Sequence, residues 1–360
     1  MRVVMLVQLV DEGDWVRGFT VTWIRELAAR VEHLDVITLE QREAALPANV
    51  TVYSMGKERG FGRPRLLIGF YRALLRVIRR ADVIFCHMTP TYTWIAAPLA
   101  WLFGKPQVLW FVHRQVTAGT RLAHAAAARI VTASRESYTL FDERKVIILG
   151  HGIDLSQFRP AEGPPPDPPL ILSVGRLAEI KNHDKLIAAL PDLLTRPGCE
   201  EVRAAIVGGL MEGQDTAYRD WLYRMRDELG LGERVEMPGA VPYREMPALY
   251  RRATVTVNLC PTGGMDKAVL ESLASGVPVL VHNRTFLPLL GENAALLWID
   301  SLEPEVIAGR LAAILSLPAG ERAALTRRLA ARVHADYGLP GLMDRLVAVL
   351  TDVVEGSSAS

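Results

Sequence analysis

Hydrophobic residues recur along this chain in two alternating patterns. Short apolar runs, such as residues 2–10 and 83–88, alternate with longer stretches in which apolar residues return every third or fourth position, such as residues 20–31. The short runs predict buried β-strands, and the longer stretches predict amphipathic helices. Because strands that alternate with helices form parallel sheets covered on both faces, the pattern predicts an α/β fold.

A proline-rich segment interrupts this alternation. Residues 158–169 contain six prolines, which fit neither a helix nor the interior of a sheet. The alternation resumes directly afterwards, so the segment is typical of a linker between domains. The sequence therefore predicts a first domain at 1–157, a linker at 158–169, a second domain at 170–335 and a terminal helix within 336–354.

Composition narrows the class of protein. The chain has 360 residues, of which 50% are hydrophobic, and its net charge is +1. This length fits two domains, and the balanced charge gives no argument for a nucleic-acid partner. Three widely spaced cysteines indicate a reducing compartment and no metal cluster. The apolar N-terminus has no basic leader, so we expect a first strand, no signal peptide and a cytoplasmic protein.

The first candidate site follows the strand predicted at the start of the second domain. Residues 171–182 read ILSVGRLAEIKN. The apolar run ends in Gly175, Arg176 follows at once, and Lys181 comes where a helix should begin. Two cations beside the free N–H groups of a helix N-terminus suit a diphosphate. The alternative is a strand–helix turn with two ordinary surface cations.

A second glycine-containing turn opens another predicted helix. Residues 263–278 read GGMDKAVLESLASGVP. The N–H groups near Asp266, Lys267 and Ala268 are candidates to bind a phosphate. Glu271, inside the helix, could accept hydrogen bonds from ribose hydroxyls, or it could be a solvated residue on an exposed face. Together the two motifs predict a site for a nucleotide-sugar.

These motifs resemble those of the family 4 glycosyltransferases, most specifically over residues 173–283. Members of that family are retaining enzymes with the GT-B fold, in which two Rossmann-like domains face each other and a C-terminal helix crosses back onto the first domain. The resemblance implies that Arg176 and Lys181 bind the donor diphosphate and that Glu271 binds the donor ribose. The family has another glutamate eight positions before the last one, where this chain has Gly263.

Further positions acquire candidate roles from the resemblance. Gly18 lies where the family has a pair of glycines near the donor, although turn geometry alone would explain one glycine. His113 ends the predicted strand 107–112, where the family has a functional histidine. Asp266 either caps the helix that starts at Lys267 or supplies the carboxylate that Gly263 lacks. Lys267 could pair with this aspartate or add a cation near the phosphates.

The resemblance implies a metal-independent, retaining, hexosyltransferase-like enzyme that needs no cofactor. Its donor would be a nucleotide-diphosphate sugar, and its acceptor a sugar, lipid-linked or small-molecule hydroxyl in the synthesis of envelope polysaccharide or glycolipid. Arg176, Lys181, His113 and Asp266 are the candidate catalytic residues. Two alternatives stay open: a nucleotide-sugar epimerase of the same fold, and a non-catalytic nucleotide-sugar-binding protein.

One predicted helix of the first domain is strongly basic. Along one face of the helix at residues 66–80 lie Arg65, Arg72, Arg76, Arg79 and Arg80. Mostly on the opposite side lie Leu67, Phe70, Tyr71, Leu74 and Ile78. The face is either a solvated surface of a core-packed helix or a patch for anionic lipid headgroups at the inner face of a membrane.

Overall fold

The structure is a computed structural model that describes residues 1–161, 163, 166–211, 213–261 and 264–358. The chain divides into two compact α/β units. Unit 1 comprises Met1–Gly152 and Leu339–Ser360, and unit 2 comprises Ile153–Gly338.

Unit 1 is built on a seven-stranded parallel sheet with the strand order β3-β2-β1-β4-β5-β6-β7. Its strands are β1 Arg2–Val10, β2 His33–Gln41, β3 Val50–Ser54, β4 Val83–His87, β5 Gln107–Trp110, β6 Arg129–Thr132 and β7 Val146–Ile148. The helices that connect them are α1 Phe19–Ala28, α2 Arg63–Val77, α3 Pro90–Leu102 and α4 Ala118–Ala126.

The central strand β1 shows why its sequence is a continuous apolar run. Val3, Met5 and Val7 pack into one hydrophobic cluster, whereas Val4 and Leu6 pack into another. Successive side chains of a strand point to opposite faces, so the sheet has a core on each side.

Unit 2 contains a five-stranded parallel sheet with the order β10-β9-β8-β11-β12. Its strands are β8 Leu170–Val174, β9 Arg203–Val207, β10 Val235–Gly239, β11 Val255–Asn258 and β12 Val279–Val281. Its helices are α5 His183–Leu194, α6 Ala217–Glu228, α7 Met246–Arg251, α8 Lys267–Ala274, α9 Leu287–Leu290, α10 Ala294–Leu297, α11 Pro304–Leu315 and α12 Ala319–Asp336. From the central strand β8 the chain proceeds to β9 and β10 on one side, and it then returns to form β11 and β12 on the other side. The carboxyl ends of β8 and β11 therefore form the switch point at which open α/β sheets bind ligands.

The last helix, α13 Leu339–Ser358, belongs to unit 1. Leu342, Met343, Leu346 and Leu350 are completely buried in the cluster that also contains residues of β1 and β4. The guanidinium of Arg345 donates to the carbonyl oxygen of Leu149, with an Nη2–O distance of 3.0 Å.

The boundary between the units lies earlier than the proline-rich segment predicted. Unit 2 begins at Ile153, whose N–H donates to the carbonyl oxygen of Tyr337 at 2.8 Å. Phe158 is fully buried in the core of unit 2, where its ring packs against Tyr243 and Tyr250. The segment 153–158 is thus tied to unit 2 by burial. Residues 162, 164 and 165 of the predicted linker lie outside the described residues.

Some elements differ from the sequence-based predictions. The apolar run at residues 295–299 predicts a strand, but Ala294–Leu297 form the short helix α10, and the strand-like pairing is limited to an isolated bridge between Trp298 and Val281. The sequence patterns do not predict the 18-residue helix α12. Its many charged residues make it difficult to recognise the buried apolar stripe that Leu325, Leu329 and Val333 form. Among the helices described, none has both the length and the apolar character needed to cross a bilayer.

Candidate functional site

The carboxyl ends of the strands in unit 2 hold a turn that only glycine allows. Gly208 follows β9 and has a φ of +155°, and a Cβ atom there would lie 1.8 Å from the carbonyl oxygen of Gly175, which follows β8. The two loops can approach this closely because Gly208 has no side chain.

The backbone around Arg176 is fixed on both sides. Gly175 donates its N–H to the carbonyl oxygen of Val207 at 3.0 Å, and Leu177 donates to that of Gly209 at 3.0 Å. The side chain of Arg176 itself is exposed, and the described part of the chain offers it no carboxylate within ion-pair distance. A fixed backbone therefore presents an uncompensated cation at the end of β8.

A buried histidine, which the sequence motifs did not single out, forms a hydrogen bond with the backbone of this loop. His183 is 1% exposed, and its Nε2 lies 3.2 Å from the carbonyl oxygen of Arg176. A carbonyl oxygen only accepts, so Nε2 carries the proton and Nδ1 accepts from the hydroxyl of Ser173 at 3.0 Å. Burial lowers the pKa of His183 to about 4, which keeps the ring neutral near pH 7.

Lys181 forms an ion pair with Asp266. Its alkyl stem lies over Gly175, because a Cβ at that glycine would be 3.3 Å from the lysine Cδ. Burial opposes the charge of Lys181, but the carboxylate of Asp266 outweighs it and raises the lysine pKa. The pKa of Asp266 is lowered for the reciprocal reason, against the effect of its own burial. Both groups are therefore charged at neutral pH.

Both oxygens of Asp266 are engaged. Oδ1 accepts from the N–H of Ala268 at 3.3 Å and caps α8. Oδ2 accepts from the amide of Asn258 at 3.0 Å, in addition to its contact with Lys181. Asp266 thus acts as a helix cap, and it pairs with Lys181 of the other candidate motif.

Glu271 is buried, with 4% of its surface exposed, so it is not a solvated glutamate on an outer face. Tyr243 donates its hydroxyl to Oε1 at 3.0 Å, and the hydroxyl of Tyr250 lies 3.2 Å from Oε2. Burial raises the pKa of Glu271, although the charge of Lys267 and the two phenols act in the opposite direction. Burial also lowers the pKa of Lys267, which Glu271 partly offsets.

The predicted site residues divide between the two units. Unit 2 brings together, around the carboxyl ends of β8 and β11, Arg176, Lys181, Asp266, Lys267, Ala268 and Glu271. Gly18 and His113 lie in unit 1.

The two unit 1 positions differ in detail from what the sequence predicted. Gly18 has a φ of −54°, an ordinary helical value, so its backbone does not require glycine. The strand before His113 ends at Trp110, which leaves the histidine exposed in a loop. Gly263 lies outside the described residues. Within the part of the chain that is described, no group of three or more His, Cys, Asp or Glu side chains is placed to hold a metal ion.

The basic helix α2 also departs from its prediction. Arg80 is not part of a free face, because it pairs with buried Asp35 at 2.6 Å. Arg59, Arg65, Arg72 and Arg76 line a cavity of about 790 Å³ between β3 and α2. Apolar side chains are exposed on the same helix: Leu67 at 43%, Ile68 at 57% and Leu75 at 51%.

Comparison with known proteins shows which family this chain resembles. The family model described as Glycosyl transferases group 1 matches residues 154–331, and the model Glycosyl transferase 4-like matches residues 7–140. D-inositol 3-phosphate glycosyltransferase 1 of Catenulispora acidiphila is 29% identical over 66% of this chain and 60% of its own length. The corresponding enzyme of Acidothermus cellulolyticus is 30% identical over 61% of this chain and 53% of its own. The matched region thus spans little more than half the length of these relatives.

Solved structures show the same fold at low sequence identity. Anabaena Alr3699/HepE in complex with UDP-glucose aligns with a TM-score of 0.75 at 15% identity, over 98% of this chain and all of the other. Sucrose-phosphate synthase from Thermosynechococcus elongatus aligns with a TM-score of 0.75 at 16% identity, over 99% and 100%. The predicted α/β fold of the GT-B type is therefore confirmed. With family models matched in both units, the chain belongs to the group 1 glycosyltransferases, the family 4 type of transferase enzyme that its motifs indicated.

Proposed function

We propose that this protein transfers a sugar from a nucleotide-diphosphate sugar to an acceptor hydroxyl with retention of configuration at the anomeric carbon. The observation that carries the proposal is the convergence of Arg176, Lys181 and the N-terminus of α8, with Glu271 buried within the same helix. Relatives that are glycosyltransferases support sugar transfer, and the UDP-glucose bound to a protein of the same fold supports this choice of donor.

In this proposal the diphosphate is the leaving group. Breaking the anomeric C–O bond leaves its electron pair on the diphosphate oxygen and develops positive charge on the sugar. Arg176, Lys181 and the amides at the start of α8 stabilise the negative charge as it forms. Glu271, held by Tyr243 and Tyr250, accepts the ribose hydroxyls.

The proposal assigns the acceptor's proton to the departing diphosphate. The acceptor hydroxyl attacks from the leaving-group face, so configuration is retained and no protein base is needed. This agrees with the carboxylates of the site, since Asp266 and Glu271 are both already engaged in hydrogen bonds. The two side-chain cations supply positive charge at the diphosphate, so the proposal includes no metal and no cofactor.

Product analysis with a panel of UDP-, GDP- and ADP-sugars, offered with sugar and lipid-linked acceptors, tests the assignment. Transfer releases a nucleoside diphosphate and forms a glycoside with the donor's anomeric configuration. Formation of an isomeric donor would favour an epimerase, and tight donor binding without turnover would favour a non-catalytic binding protein.

Two variants locate the chemistry. Arg176→Ala and Lys181→Ala should each lower kcat/KM about 100-fold or more, the usual effect of removing a donor that stabilises developing charge. Arg203→Ala is a matched control, because Arg203 is an exposed cation at the amino end of β9, away from the ends that carry the motifs. Wild-type kcat/KM in both site variants would refute this placement.

The proposal extends to an acceptor presented at the inner face of a membrane, in envelope polysaccharide or glycolipid synthesis. Its support is a surface of unit 1. Arg65, Arg72 and Arg76 have no carboxylate partner among the described residues, and exposed leucines and isoleucine lie between them. Trp101, at 87% exposed, and Leu102, at 68%, end the following helix α3. Cations beside exposed apolar side chains suit an anionic lipid surface.

Vesicle co-sedimentation tests this contact. The protein should sediment with phosphatidylserine-containing vesicles at low salt, and detach as salt screens the attraction. Replacing Arg72, Arg76 and Arg79 by glutamine should abolish sedimentation, whereas Arg203→Gln should not. If the protein does not bind the vesicles, or if the triple replacement does not change binding, the basic face of α2 is a solvated surface with no membrane contact.

A further inference from the structure

We propose that Asp266 is a specificity-determining residue: its carboxylate takes the place of a donor phosphate in the ligand-free protein and weakens the binding of diphosphates by competing for Lys181. This inference rests on the proposed function, because it concerns the same diphosphate site.

The contacts of Asp266 are those that a phosphate would use. Its carboxylate receives the ammonium of Lys181, the side-chain amide of Asn258 at 3.0 Å, and the N–H of Ala268 at the start of α8 at 3.3 Å. Ammonium, amide and helix N-terminal N–H groups are the donors that proteins direct at phosphate oxygens. An anion built into the chain therefore already occupies part of the anion site.

A diphosphate that binds at this site has to compete with the carboxylate of Asp266 for Lys181. The side chains of Lys181 and Asp266 are 16% and 22% exposed, so water screens their attraction only partly. If Lys181 moves to the phosphate, Asp266 loses its cation in a poorly solvated place. If it stays, two anions share one lysine. Either outcome lowers affinity, because like charges at short range repel.

The loss of affinity caused by Asp266 depends on the charge of the ligand. A free nucleoside diphosphate has a terminal phosphate with a second ionisation near pH 6, so at pH 7.5 it carries about one more negative charge than the nucleotide-sugar. A fixed carboxylate at position 266 therefore opposes the product more than the donor. Arg176, exposed and without a carboxylate partner among the described residues, remains available to both ligands.

Calorimetric titration of the full-length protein tests the inference with three probes: inorganic pyrophosphate, the nucleoside diphosphate that binds best among UDP, GDP and ADP, and its sugar conjugate. Asp266→Asn should tighten pyrophosphate and nucleoside diphosphate about tenfold and the sugar conjugate less. The melting temperature should fall, because Lys181 loses its partner. A residue that only caps α8 would not increase affinity while stability decreases.

Two further variants make the result decisive. Asp266→Ser also preserves a capping side chain and should show the same gain if Asp266→Asn folds poorly. Asp184→Asn is the matched control, because Asp184 is a buried aspartate in the first turn of α5 that accepts from Tyr218 at 2.9 Å. Its affinities should equal those of the wild type.

The outcomes separate this inference from the proposed function. If the wild type binds and transfers sugar, but both Asp266 variants bind diphosphates equally or more weakly, the inference is wrong and the function stands. If neither pyrophosphate nor any nucleoside diphosphate binds the wild type or the variants, both are wrong.

Discussion

The carboxylate of Glu271 is buried beneath two tyrosine hydroxyls, and this burial changes its acid–base behaviour. Its pKa is raised above the ordinary value of 4.5, so the folded protein binds this proton more readily than the unfolded chain does. The resulting stabilisation is complete below pH 4.5 and is lost as the pH rises through the raised pKa.

Glu271→Gln should remove this pH dependence. From pH 5 to pH 8 the variant should gain stability relative to the wild type, by about 1.4 kcal/mol for each unit by which the raised pKa exceeds 5. Urea unfolding at the two pH values measures the difference. At pH 8 the variant should also bind the nucleotide-sugar and the bare nucleoside diphosphate more weakly, since glutamine lacks the charge that attracts ribose hydroxyls. A loss confined to the nucleotide-sugar would place Glu271 at the sugar instead.

His183 should act as a positioning residue for Arg176. Its Nε2 donates to the Arg176 carbonyl, so His183→Phe should raise KM for the donor and lower kcat/KM about tenfold or more, on the scale of a lost buried hydrogen bond. His183→Gln, whose amide can donate at a similar reach, should restore much of this loss. If both variants lower the melting temperature and leave KM unchanged, the histidine has a structural role only.

The candidate site could be predicted from the sequence where it consists of contiguous residues. Arg176, Lys181 and Glu271 lie in short segments whose glycines and cations have a recognisable order. Their supporting groups could not be recognised in this way. Tyr243 precedes Glu271 by 28 positions, and Asn258 precedes Asp266 by eight, in a different element. Such contacts depend on how strands and helices pack, which no local pattern encodes.

At the level of elements, the ends of β8 and β9 are in close backbone contact, because Gly208 packs against the carbonyl group of Gly175. An added Cβ at Gly208 would overlap the carbonyl of Gly175, and the φ of +155° would strain it further. We therefore expect Gly208→Ala to cost about 3 kcal/mol of stability. The displaced Gly175 would also move Arg176, so nucleoside diphosphate binding should weaken.

Gly230→Ala separates backbone strain from overlap. Gly230 also has a positive φ, +67°, but an added Cβ would meet no atom within 4 Å. It should cost about 1–2 kcal/mol, the usual price of a left-handed alanine, and should not change nucleoside diphosphate affinity. Chemical denaturation and calorimetric titration give both quantities. Equal effects of the two substitutions would show that the glycine contact is not required.

Elements were predictable where burial is extensive. The strands of both sheet centres are apolar runs and were recognised as such. The half-buried edge strand β3, with the sequence VTVYS, was missed because its side chains contribute less to the core. The prediction of a strand at residues 295–299 is wrong because a short apolar run has no periodicity that separates strand from helix.

At the level of the whole molecule, unit 1 is assembled from two distant parts of the chain. Gly152, at the end of its first part, lies against α13, since a Cβ there would be 2.8 Å from side-chain atoms of Leu339 and Leu342. The amphipathic pattern of α13 predicts a packed helix, but it does not specify the partner. That information lies in the burial of its apolar face beside β1 and β4.

This arrangement predicts where a defect in α13 will be detected. Leu346 is fully buried in the unit 1 core, so Leu346→Ala should cost about 2–5 kcal/mol by leaving a cavity. Hydrogen exchange measured by mass spectrometry should show lost protection in peptides from β1 and β4, more than 250 positions away in sequence. Peptides from β8 and β11 should retain theirs, because Leu346 does not belong to the unit 2 core. Asp352→Ala, on the exposed side of the same helix, should leave all these peptides protected. Faster exchange confined to α13 itself would mean that β1 and β4 do not depend on this helix for their stability.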